Sequence, residues 1–188
     1  VNISLHHVCD YSESSRKKGS GNSKWDVGVW SNFVNYEDTY IGSRRVGNCW
    51  GDDQIEIFRL DKNFNLIYSN TVTDGEDPRT FLYNGVPYCL TWYPRQSVFD
   101  YKVINLLTEE VHNLTIEGYP ETKVNILGKN WIPFVKNKEL YFITTIDPHL
   151  SIIKYDPTTN HCTWVTTDIH SQTISHSRGG TPQLCDMV

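Results

Sequence analysis

The chain has 188 residues, 38% hydrophobic and 13% aromatic, enough for one sizeable core and at odds with overall disorder. Its formal net charge of -5 at pH 7 argues against nucleic acid as a partner, because phosphate binding needs a basic face. No apolar run is long enough to span a bilayer, and no signal-peptide pattern opens the chain at Val1.

Residues 1–27 read as an N-terminal loop segment. His6-His7 suits a solvated terminus, and Ser14-Ser15-Arg16-Lys17-Lys18-Gly19 is polar, Gly- and Ser-rich and partly basic. Beyond it, Tyr, Phe, Val, Ile, Thr and Trp come in short runs broken by Asn, Gly, Asp and Pro, the signature of strands, and no long segment has a helical period.

The strands repeat. Phe33, Phe81 and Phe134 recur at a period of about fifty residues, which is propeller-blade spacing. Each is followed at one common spacing by a tyrosine: Tyr40, Tyr88 and Tyr141. Between them lie the polar turns Tyr36-Glu37-Asp38, Asn84-Gly85 and Asn137-Lys138, and Asn-Gly is a strong hairpin signal. A third strand follows each hairpin, at residues 54–61, 99–107 and 150–156. A fourth follows it, at 65–72, 110–117 and 161–168. The fold class that results is all-β: a propeller of four-stranded antiparallel blades over 28–73, 74–119 and 120–170, with a further blade starting at 176–188. Unrelated hairpins in a β-sandwich are the alternative. Three blades do not close a ring, so the blades are either part of a longer chain or completed by self-association.

Cys9, Cys49, Cys89, Cys162 and Cys185 are odd in number, widely spaced and without a CxxC, which disfavours a zinc site or a disulfide scaffold. Asp10, Asp52 and Asp53 lack EF-hand spacing, so no metal and no cofactor is implied. The sequons at Asn2 and Asn113 say little in a chain so rich in Asn, Ser and Thr, and leave the compartment open.

In a propeller the innermost strands and the turns at one end line a central funnel. The residues ahead of each Phe are therefore expected at one shared site: Asn32, then Glu76-Asp77-Pro78-Arg79, then Lys129-Asn130-Trp131, with Arg178 ahead of the next blade. The ends of the second strands add Arg45, Trp92 and His149. Carboxylate, cation, amide and aromatic together suit a sugar, whose ring faces stack on aromatics and whose hydroxyls bind amides and charges. Each residue also has a plainer reading. Asp77-Pro78 can open a turn, Trp131 can cap a core, and His149 can be held by backbone.

Gly75-Glu76-Asp77-Pro78-Arg79 before a strand, set in repeated four-stranded blades, resembles the five-bladed propellers of the β-mannoside phosphorylases (glycoside hydrolase family 130) and the related β-1,2-mannosyltransferases. Lys129-Asn130-Trp131-Ile132-Pro133-Phe134 and Arg178-Gly179-Gly180-Thr181-Pro182 are similar to stretches in this broad group, and the resemblance covers residues 28 to 182. It implies that Asp77 is the general acid and that Arg45, Arg79, Lys129, His149 and Arg178 are candidates to hold phosphate. The implied partner is an oligosaccharide or a sugar phosphate. The alternatives are a non-catalytic propeller that binds glycan or protein, and a structural assembly protein whose open edges pair with another chain.

Overall fold

The structure, a computed structural model, describes residues 31–46, 53–95, 98–118, 131–145 and 150–165. Its elements are all strands. The first antiparallel sheet runs in order through β1 (Ser31–Tyr36), β2 (Thr39–Val46), β3 (Gln54–Leu60) and β4 (Leu66–Asp74). The second runs in order through β5 (Glu76–Tyr83), β6 (Val86–Arg95), β7 (Val98–Asn105) and β8 (Val111–Asn113). The third contains β10 (Ile132–Lys136), β11 (Glu139–Thr145), β12 (Ser151–Asp156) and β13 (His161–Val165), with β9 (Thr115–Ile116) added at its edge. Among the described residues, no helix is long and apolar enough to cross a membrane.

Three two-residue turns set the registers. Asn84 and Gly85 both hold positive φ, as do Asn137 and Lys138, which suits the primed turns whose twist matches the flanking strands. Tyr36 pairs with Thr39, Tyr83 with Val86 and Lys136 with Glu139. Measured from these turns, the phenylalanine repeat is out of phase in the first sheet. Phe81 lies opposite Tyr88 and Phe134 opposite Tyr141, but Phe33 lies opposite Gly42. One residue of offset sends a side chain to the other face of a sheet. Phe33 is accordingly 44% exposed, whereas Phe81 is 8% exposed.

The core lies between the sheets. Ile41, Ile55 and Ile57 of the first sheet meet Cys89, Ile104 and Leu106. On the opposite face of the second sheet, Phe81, Leu90, Trp92, Tyr101 and Val103 meet Leu140, Phe142, Ile153 and Tyr155 of the third. Cys89 and Leu90, or Val103 and Ile104, are neighbours that enter different cores, as period-two alternation requires of a sheet covered on both faces. Strand β5 lies against β1 and β2 on one side and β10 on the other, so the first strands of successive blades gather together.

One expected strand divides. The run at 110–117 forms β8 on the second sheet and then β9, which pairs in parallel with β13 through Thr115 with His161 and Ile116 with Cys162. Ile116 supplies a reason: it is 7% exposed and belongs to the core between the second and third sheets. Its burial draws the chain off one blade and onto the next. The Glu117 amide then donates to the Cys162 carbonyl at 2.9 Å, and the Trp164 indole to the Glu117 carbonyl at 3.1 Å.

Removing the side chain of Ile104, 0% exposed between the first two sheets, is expected to cost about 2–5 kcal/mol as Ile104→Ala. Ile67→Ala, at a position 56% exposed, is expected to stay within about 0.5 kcal/mol. Urea unfolding of the two variants measures the contrast, and equal losses would place the core elsewhere.

Candidate functional site

Strand β5 opens irregularly. Glu76 pairs with Trp92 and Arg79 with Leu90, so the register shifts between them and the strand bulges at Asp77-Pro78. Asp77 has φ 47, in the left-handed region, where Asp is one of the few side chains found with any frequency. Such a conformation costs about 1–3 kcal/mol and persists only when its surroundings impose it. Bulges beside functional sites re-aim a side chain. Here the bulge turns two consecutive carboxylates, Glu76 and Asp77, toward one guanidinium.

That guanidinium belongs to Arg45, near the end of β2. Its Nη2 donates to the Asp53 carboxylate, and its Nη1 lies 3.6 Å from Glu76 and 3.7 Å from Asp77. The Arg45 side chain is 11% exposed and that of Asp53 2%, whereas those of Glu76 and Asp77 keep 19% each. Burial alone would lower the affinity of Arg45 for its proton. The bond to Asp53 and the charges of Glu76, Asp53 and Asp77 outweigh it, and hold the group above its ordinary value. Arg79, two residues past Asp77, is pushed below its ordinary value by burial, an effect that the charge of Asp77 opposes. Asp77 is thus partly exposed, with Arg45 within ion-pair distance and Arg79 close enough to feel its charge. A second buried pair, Arg44 with Glu56, lies across β2 and β3.

The backbone that carries the bulge is fixed on several sides. The Gly75 amide donates to the Asp53 carbonyl at 3.0 Å. The Thr91 hydroxyl donates to the Glu76 carbonyl at 2.7 Å. Beyond the bulge, the Thr80 amide donates to Asn32 Oδ1 at 2.8 Å, and the Thr80 hydroxyl to the Asn32 carbonyl at 3.2 Å. Asn32 Nδ2 in turn reaches the Pro78 carbonyl at 3.4 Å.

The expected site residues therefore separate. Asp77, Glu76, Arg45 and Arg79 come together at the junction of the first two sheets. Asn32 reaches the same segment, with its amide engaged in bonding β5 to β1. Trp92 is 6% exposed in the core between the second and third sheets. Trp131 is 1% exposed and stacks on Tyr101 with ring centroids 3.5 Å apart. Lys129, Asn130, His149 and Arg178 lie outside the described residues, as do the N-terminal loop segment and the start of a further blade. Counted from the hairpin turns, Asn32 matches Arg79, and Arg45 matches Trp92.

Sequence reading did not bring Asp53, Thr91 or Lys102 to the site. The available signal for Asp53 was an acid a few residues beyond Arg44-Arg45: a hairpin linking β2 to β3 pairs Arg45 with Ile55, two residues past Asp53. Among the described residues, no group of three or more His, Cys, Asp and Glu is arranged to hold a metal ion.

No protein-family model and no curated protein matches the sequence. Solved structures do. The structure of RS223 β-xylosidase aligns at 13% identity and a TM-score of 0.49, over 73% of this chain and 55% of that one. CoXyl43, a GH43 β-xylosidase/α-arabinofuranosidase from a compost microbial metagenome, seen with xylotriose in a calcium-free form, aligns at 11% identity and a TM-score of 0.51. That alignment covers 73% of this chain and 56% of the other. At these identities the likeness is one of fold, and the chain spans a little over half the length of these enzymes. The fold is the β-propeller of that glycosidase class, as the four-stranded blades predict. Both neighbours are xylosidases rather than mannoside phosphorylases.

Cys89 lies behind the bulge, 0% exposed in the core between the first two sheets, and burial pushes its thiol up to about 12. The unfolded thiol ionises near 9. The folded state therefore keeps a proton that the unfolded state loses, and the stabilising contribution present below pH 9 fades as pH rises toward about 12. Native protein at pH 8 is expected to leave Cys89 unmodified by a thiol reagent, with labelling on denaturation. Rapid labelling in the native state would contradict the burial.

Proposed function

We propose that this chain is part of a propeller enzyme that breaks or forms a glycosidic bond, with Asp77 as the group that moves the proton. The observation that supports this reading is the bulge itself. An aspartate held at φ 47, partly exposed and set among buried groups, is a conformation that the surrounding structure has to maintain. Cleaving a glycoside requires a proton on the leaving oxygen and attack on the opposite face of the sugar ring. Asp77 would supply the proton in cleavage and, by microscopic reversibility, remove it in synthesis.

The finer reading is phosphorolysis of a β-mannoside, or transfer of a mannosyl group from a sugar phosphate. A hydrolase needs a second carboxylate to activate water. A phosphorylase instead needs cations, because phosphate arrives already anionic. Arg79 stands beside Asp77 for that role, with Arg45 behind it and Lys129, His149 and Arg178 as further candidates. Asn130 would bind hydroxyls, whereas Trp92 and Trp131 are buried between the second and third sheets and the Asn32 amide is engaged with β5. Blades beyond the three described sheets, from a longer chain or from self-association, would complete such a site.

A second reading, a propeller that binds glycan or protein without turnover, is favoured by one specific observation. Arg45 lies within ion-pair distance of Asp53, Glu76 and Asp77 together, which an interblade junction alone would also require. Exposed Leu66, Ile67 and Tyr68 on the outer strand β4 are the feature an assembly role would use.

Product release from aryl β-mannosides and aryl β-xylosides, with and without phosphate, separates these readings in the longest natural form of the chain. Asp77→Asn is expected to lower kcat by about a hundredfold or more while sugar binding persists. Phosphate-dependent release of a mannose 1-phosphate supports the finer reading. Undiminished turnover in Asp77→Asn removes Asp77 from the chemistry, and saturable binding without product transfers the weight to the second reading.

A further inference from the structure

Gly75 is the point at which the chain leaves the first sheet, at Asp74 in β4, and enters the second, at Glu76 in β5. It is buried, and a Cβ there would lie 2.6 Å from Thr91 Oγ1 and 2.8 Å from Ile55 Cγ1. Neither neighbour is the far end of a flexible side chain. The crossing therefore runs against both sheets at once.

Two residues of the second sheet grip the chain on either side of this glycine. Thr91, on β6, is 1% exposed and donates to the Glu76 carbonyl at 2.7 Å. Lys102, on β7, is 7% exposed and donates to the Asp74 carbonyl at 3.1 Å and to Thr73 Oγ1 at 2.7 Å. Thr91 and Lys102 are direct cross-strand partners. Both occupy the face of the second sheet that carries Cys89 and Ile104 toward the first sheet. A buried lysine is costly, and an apolar residue at this place in the alternation would fill the same core. The lysine instead spends its charge on the backbone immediately before the bulge.

We propose that Thr91 and Lys102 are positioning residues: from one cross-strand pair they fix the Asp74 and Glu76 carbonyls on either side of Gly75, and so set where Asp77 points. They touch no reacting atom and act through the backbone. The proposal rests on Asp77 as the proton-transfer group for its consequence in catalysis, but the clamp has a readout of its own. A small displacement of a positioned group costs a reaction far more than it costs binding.

Thr91→Val and Lys102→Met, which keep most of the volume and remove the donors, test it in the longest active form of the chain. Thr91→Ser serves as the conservative control. Expected is a fall in kcat of about tenfold or more with KM nearly unchanged in both donor-less variants, and recovery of most of the loss in Thr91→Ser. Hydrogen exchange at the Glu76, Asp77 and Arg79 amides is expected to quicken in Thr91→Val, with the rest of β5 unaltered. Folded variants with unchanged kcat overturn the positioning role, whether or not the exchange rates move. Asp77→Asn is measured alongside. If it retains turnover, the reading of Asp77 fails, and the exchange rates alone then decide whether the clamp exists. Should Lys102→Met not fold, Thr91→Val and Thr91→Ser carry the test.

Discussion

Three carboxylates from two sheets converge on the guanidinium of Arg45, and the arrangement of the site follows from that excess of negative charge. Asp53 stands immediately before β3, and Glu76 and Asp77 at the start of β5. Removing two charges from water is expensive, and a buried pair is tolerable only when its geometry is good. Arg45 and Asp53 are almost wholly buried and joined through Nη2 and Oδ2, while Arg45 Nε and Asp53 Oδ1 are buried without a hydrogen-bond partner among the described residues. Glu76 and Asp77 lie farther from the guanidinium and keep some exposure. The inner pair therefore lies within the first blade, and the outer carboxylates, from the second, approach the same guanidinium while keeping part of their surface exposed. The charge of Asp77 also acts on Arg79, opposing the effect of its burial.

The bulge and the glycine are two parts of one solution to a topological demand. The chain passes from β4 to β5 through Gly75 alone, so the last strand of one blade and the first of the next are nearly continuous. Such a short crossing leaves little freedom. Gly75 admits the close approach of Thr91 and Ile55, and the left-handed Asp77 absorbs the change of direction that follows. The contrast with the second junction is instructive. Between the second and third blades the chain is long, and there β9 crosses to pair with β13. Each junction is closed by polar backbone groups finding partners, as burial demands.

Much of the architecture was legible in the sequence because it rests on local rules. Asn84-Gly85 demands a hairpin, and the mostly apolar runs of β6 and β7 suit a sheet covered on both faces. The repeat was legible as a period but not in its phase. Phe33 looks equivalent to Phe81, yet the turn at Glu37-Asp38 places it one residue out of register and on the other face. Phase depends on where the turn falls, and three different turn sequences hid that. At the site, Glu76-Asp77-Pro78-Arg79 was conspicuous as a string of charges beside a proline. Its partners were not, because Asp53 and Lys102 approach it by contacts that span sheets and Thr91 by the shifted register of β5 on β6. The buried lysine is the clearest case: only the register of β6 with β7 and the exit of β4 explain a charge in that stripe.

The central claim is a division of labour around Arg45, with Asp53 holding the structure together and Asp77 left for chemistry. Two double-mutant cycles on unfolding free energy test it most directly, pairing Arg45→Met with Asp53→Asn and Arg45→Met with Asp77→Asn. The account predicts a coupling above about 1.5 kcal/mol for Arg45 with Asp53 and below about 0.5 kcal/mol for Arg45 with Asp77. The reverse order would make Asp77 a structural ion-pair partner and contradict the account.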